Sequence, residues 1–126
     1  MKNIITQIRE ITGQSRVAFS KAYGIPVRTL ENWEAGIAEA PNYTIDLLTR
    51  AALEDSGRYT TVRFFVTEIK AHDEFDHMDT TKITEAIRCT QNSWDCLSEY
   101  DKKHSDFEIR IYEDGDCMNY DTIEWR

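Results

Sequence analysis

The sequence holds no apolar stretch approaching the roughly 18 residues that a membrane-crossing helix needs. Its opening, Met1-Lys2-Asn3-Ile4-Ile5-Thr6-Gln7, meets polar residues too soon to form a signal-peptide core, so the expectation is a cytoplasmic protein. Cysteine is scarce and odd in number. Cys89, Cys96 and Cys117 suit reduced thiols better than a disulfide framework. There is no glycine-rich phosphate loop and no nucleophile elbow, and internal repeats and low-complexity tracts are missing. Positive charge is short as well: 15 Lys+Arg stand against 23 Asp+Glu, a formal net charge of -8.

What is present is a globular composition, 126 residues of which 40% are hydrophobic and 30% charged. That length fits one medium domain or two very small ones. The excess acid is uneven. Residues 1–57 carry six basic and seven acidic residues, whereas 58–126 carry nine basic and sixteen acidic. An acidic second half repels phosphate and argues against nucleic-acid binding there. The texture also changes at Glu54-Asp55-Ser56-Gly57, from helical spacing to strand formers such as Val62, Phe64 and Val66. The expected division is therefore 1–57 and 58–126. Units this small need each other, or a second copy, to complete a core.

The first half reads as four short helices. Ile4, Ile5, Ile8 and Ile11 give an amphipathic helix over 3–11. Ser15 caps a second at about 16–23, with Val17, Ala18, Phe19 and Ala22 as inward candidates, and Gly24 stops it. Pro26 opens a third that runs to about Ala35, with Leu30 and Trp33 inward, and Pro41 precedes a fourth at about 43–54. Small Ala18 and Ala22 are expected to let the second and third helices approach across the Tyr23-Gly24-Ile25 turn. Such a helix pair can enter a major groove. It can also be a plain helical hairpin, or a pair that binds protein instead.

Ala18-Phe19, Tyr23-Gly24-Ile25-Pro26, Arg28-Thr29-Leu30, Asn32-Trp33-Glu34 and Gly36 resemble the phage repressor and Cro type of helix-turn-helix, the xenobiotic-response-element family, over residues 4–54. The resemblance implies double-stranded DNA as the partner. Arg16 would meet a phosphate, Val27, Arg28 and Thr29 would face base edges, and Asn32 would touch a base or phosphate. Two departures stand out. Arg16 replaces the usual Gln, and Pro26 replaces the usual Ser or Thr cap, which removes a capping bond and a hydroxyl contact to phosphate. The family also often has a fifth helix where this chain turns strand-like.

The chemistry agrees without the resemblance. The planar fork of Arg28 matches guanine O6 and N7, and Val27 and Thr29 offer methyl groups to thymine. Within 14–36 the net charge is only +1, too little for one unit to neutralise several phosphates, so a homodimer on a palindromic site is expected, with 58–126 as the dimerisation or partner-binding half and its exposed strands as the expected dimer surface. Phe19 and Trp33 read as core, Glu34 as a structural partner for backbone or Arg16, and Lys21 as a surface charge.

The second half reads as a β-α-β-β unit, giving an α+β protein overall. The expected elements are a strand over 59–69, a polar loop over 71–79, a helix over about 81–96 capped by Asp79 or Thr80, a possible short turn from Ser98, a strand over 106–112, an Asp114-Gly115 hairpin turn and a closing strand over 118–125. His72 and His77 sit among acids, yet their spacing matches no zinc or calcium loop, and Cys89 and Cys96 share a helix face as packing residues. No catalytic constellation, metal or cofactor is expected. Two functions follow: a DNA-binding regulator, of a kind that in this family often represses its own promoter on phage, plasmid or toxin–antitoxin loci, or an adaptor, antitoxin or inhibitor whose acidic half holds a basic protein.

Overall fold

The computed structural model describes residues 3–59, 61–113 and 118–126. Four helices come first: α1 (Ile4–Thr12), α2 (Arg16–Tyr23), α3 (Val27–Glu34) and α4 (Asn42–Asp55). A four-stranded antiparallel sheet with two helices follows: β1 (Phe64–Lys70), β2 (Asp73–Thr80), α5 (Ile83–Asp95), α6 (Glu99–His104), β3 (Ser105–Tyr112) and β4 (Tyr120–Ile123), in the order β2-β1-β3-β4. The fold is mixed α+β.

Local chemistry sets the helix ends. The Asn3 side chain accepts from Ile5 N–H, and Ser15 Oγ accepts from Ala18 N–H at 3.1 Å, so α1 and α2 begin with satisfied donors. Gly24 ends α2 at φ 66, a left-handed conformation that a Cβ would strain. Pro26 and Pro41 occupy the N-cap positions of α3 and α4 and offer no side-chain cap.

Three expectations need correction. The acidic segment 71–79 is not a loop. Its residues 73–79 lie in β2, which pairs with β1 from Phe64↔Thr80 to Lys70↔Asp73, and the second half is therefore β-β-α-α-β-β. A sheet edge tolerates such a polar strand because one side of its backbone and most of its side chains stay in water. The register shifts between Val66 and Thr67, which leaves His77 as an extra, bulged residue. Second, the strand expected from residue 59 begins at Phe64; Tyr59 and Val62 are buried ahead of it. Third, Val17 is 54% exposed, and Ala18 and Ala22 also face solvent. The small residue at the α2–α3 turn is Ser20, whose hydroxyl donates to the Ile25 carbonyl. The expected turn at Asp114-Gly115, and Cys117, lie outside the described residues.

One hydrophobic cluster runs through both halves. Ile8, Phe19, Leu30 and Leu53 join Phe64, Val66, Ile83, Ile109, Ile111 and Ile123, all at 2% exposure or less. Each fully buried side chain of this size contributes roughly 1.5–3 kcal/mol. Polar ties reinforce the junction. The buried Gln7 amide donates to the Glu124 carbonyl (3.2 Å) and accepts from Glu124 N–H (2.7 Å). Asp46 on α4 accepts from both the backbone N–H and the hydroxyl of Thr84, capping α5 from outside, since its N-cap residue Lys82 supplies no side-chain bond. Thr80 adds a bond from Lys82 N–H. The Arg58 guanidinium donates to the Ile11 carbonyl at 2.8 Å.

Candidate nucleic-acid interface

The third helix has a sharply divided surface. Leu30 is fully buried and Trp33 packs against the core, which anchors one side. At 100° per residue the opposite side carries Arg28, Glu31, Asn32 and Ala35. Arg28 is exposed there, and Asn32 is half-buried beside it. Val27 and Thr29 flank this stripe and are half-buried, while Pro26 is exposed at the N-cap.

Arg16, Arg28 and Asn32 converge on one open groove of about 410 Å3, together with Thr6, Glu31, Glu34 and Ile37. The structure therefore gathers three of the six expected DNA-facing residues. Pro26, Val27 and Thr29 do not line that groove.

Glu34 organises the groove's back wall. Its Oε1 accepts from Arg9 Nη2 at 2.6 Å, Arg9 Nε at 2.9 Å and the Thr6 hydroxyl at 2.8 Å. Its Oε2 accepts from Arg16 Nε at 2.9 Å. The structural role expected of Glu34 is thus met by two arginines. Burial by itself would push its carboxyl pKa up; the hydrogen bonds from Arg9, Arg16 and Thr6 outweigh that and hold it below the ordinary carboxylate value. The same bonds, Glu34's hydrogen bond first, hold the Arg16 guanidinium more firmly charged.

Arg9 is the member that sequence reasoning missed. Nothing local marks it, because its partner lies 25 positions away. It also donates to the Gln14 carbonyl at 3.2 Å, tying the end of α1 to the start of α2. Glu31 is a second omission: an acid on the same face as Arg28 that, with Glu34, balances the groove's Arg16 and Arg28.

Elsewhere the titratable groups are occupied or dispersed. His77 Nε2 lies 2.6 Å from Glu68 Oε2, and its ring rests edge-on against Phe107. Cys89 packs against the core as expected, whereas Cys96 is exposed at the end of α5. Among the described residues no group of three His, Cys, Asp or Glu side chains could hold a metal ion. No helix among them is long and apolar enough to cross a membrane. Comparison of the chain with protein-family models, curated proteins and solved structures yields no match.

Proposed function

We propose that this protein is a sequence-specific DNA-binding transcriptional regulator, a cytoplasmic, non-enzymatic homodimeric repressor of the Cro-type helix-turn-helix kind that acts on a palindromic operator. The observation that carries the reading is Arg28: exposed at the centre of α3's outer face, forming no ion pair among the described residues, and sharing a groove with Arg16 and Asn32. The first turns of α2 and α3 contain no acid, so the positive ends of both helices can face phosphate. In this reading Arg16 holds phosphate while Arg28 reads a guanine, with Asn32 one turn behind it. Pro26, Val27 and Thr29 meet the flanking backbone and thymine methyls. Ile37, Tyr43 and Leu47, each more than half exposed, supply apolar area for a dimer contact beside the reading helix, in place of the strands of 58–126 expected from the sequence.

The test is a gel shift on the DNA upstream of the gene, with Arg28→Ala beside the wild type. The variant keeps its fold, judged by circular dichroism, and loses about tenfold or more of its specific affinity. Unchanged affinity removes α3 from the reading role.

A second reading rests on β2. This edge strand exposes Asp73, Glu74, Asp76 and Asp79 beside Phe75, itself 51% exposed. A basic protein, such as a nuclease or toxin, could add a strand there, with the chain acting as adaptor, antitoxin or inhibitor. A salt titration separates the two, since duplex binding falls steeply as counterions are released. Failure to bind any duplex at low salt, with a basic protein co-purifying, favours the second.

A further inference from the structure

A groove of about 500 Å3 lies where the two halves meet, a volume typical of small-molecule sites. Ile4 of α1, Ile45 of α4, Ile87 of α5 and Trp125 near the C-terminus make its floor. Arg88 stands at its rim with the carboxamides of Gln91 and Asn92 one turn further along α5.

The charge of this groove runs against the rest of the chain. Of 23 Asp+Glu in the sequence, none is among its lining residues, and its single ionic group is cationic. Asp46, next to Ile45, turns both carboxylate oxygens onto Thr84. A second groove of about 320 Å3 shares Ile4, Asn42 and Ile45, extends to Trp33, and carries Glu39. The two adjoining grooves are therefore polarised: a cation on the α5 side, apolar residues shared between them, an acid on the α3 side. We infer that together they bind a small amphipathic carboxylate, with the anionic head at Arg88 and the apolar tail lying over Ile4, Ile45 and Ile87 toward Trp33. The Asn92 carboxamide adds a hydrogen-bond donor for the head; Gln91 Nε2 already donates to Asp95 Oδ1 at 3.0 Å, and Glu39 rejects the reversed orientation.

This assignment is independent of the DNA reading, and its test contains no DNA. The full chain is titrated with the fluorescent anion anilinonaphthalene sulfonate, and the dye is then displaced with decanoate, decanol or decylamine, which share a tail and differ in head charge. Decanoate displaces at a concentration roughly threefold to tenfold below decanol, and decylamine is the poorest. Arg88→Gln, a surface change that leaves the circular dichroism spectrum intact, removes the preference for decanoate over decanol. Asn92→Asp, which adds an acid at the rim, weakens decanoate alone. Equal displacement by all three compounds, a preference that survives Arg88→Gln, or no dye enhancement by the folded chain overturns the assignment. So does a dye signal that falls as protein concentration rises at a fixed dye ratio, because a second copy then covers the groove.

Discussion

In the helical half one buried carboxylate serves two arginines; on the open face of the sheet one buried arginine serves two carboxylates. Glu34, with its side chain 4% exposed, binds Arg9 and Arg16. Arg110, equally buried, meets Glu74 through two parallel bonds of 2.9 and 3.0 Å and Glu108 through one of 2.7 Å. Its guanidinium also lies 4.3 Å from the centre of the Tyr120 ring. The two clusters use the same chemistry with the sign reversed. Each hides the minority charge; the sheet leaves both carboxylates facing water, and the helical cluster leaves Arg16 there while Arg9 is largely covered. In the groove beside Arg28 the lining charges balance, Arg16 and Arg28 against Glu31 and Glu34, whereas the sheet keeps a negative excess beside β2. In a molecule with a net charge of -8, a charge-balanced groove repels phosphate less than the acidic sheet does.

The inversion predicts unequal costs when the central residue is removed. Glu34→Gln strands Arg9, which is only 14% exposed, against a neutral amide. Denaturant unfolding should show a loss of about 2–3 kcal/mol, less than orphaning a fully buried ion because Arg16 turns to water. The pH dependence has a definite sign. The folded-state pKa of Glu34 is depressed, so its contribution is complete above the ordinary value of 4.5 and disappears as pH falls through the lower folded value. A wild-type minus Glu34→Gln difference that does not shrink below pH 4.5 would break this account of the cluster.

Arg110→Met is the matching change on the sheet and should cost less, about 1 kcal/mol by the same measurement. Glu74 is 53% and Glu108 33% exposed, so the groups left behind are already solvated. Methionine keeps much of the packing against Tyr120. A larger loss than for Glu34→Gln would invert the comparison and make the sheet cluster the stronger of the two.

The two halves also differed in how far their sequences could be read. The four helices stand within a residue or two of expectation, because each is set by local signals: the isoleucine spacing of α1, Ser15 and Gly24 around α2, and the two prolines. β2 carried no such signal. Asp73, Glu74, Asp76 and Asp79 spell a solvated loop, and only pairing with β1 makes the segment a strand. The candidate site divides the same way. Arg16, Arg28 and Asn32 line the groove and follow from helical position, whereas Arg9, behind the groove, enters only through its tertiary partner Glu34. Val17 is hydrophobic yet lies on the solvent face of α2, and residue type alone does not distinguish the two faces of so short a helix.

The hairpin that brings β2 back also permits the finest test. Lys70 pairs with Asp73 across two residues, and Ala71 holds φ 56, the only positive value among the described non-glycine residues. A Cβ in that left-handed region costs about 1 kcal/mol or slightly more. Glycine relieves the strain but adds freedom to the unfolded chain, a penalty of roughly 0.4–1 kcal/mol. Ala71→Gly should therefore stabilise the protein by a few tenths of a kcal/mol, read as a small rise in denaturation midpoint at constant slope. Ala71→Val, with a branched side chain at the same backbone angle, should lower the midpoint instead. The helical half has already placed glycine where its turns need it, at Gly13 and Gly24. A midpoint that drops on Ala71→Gly would mean that the turn is not strained.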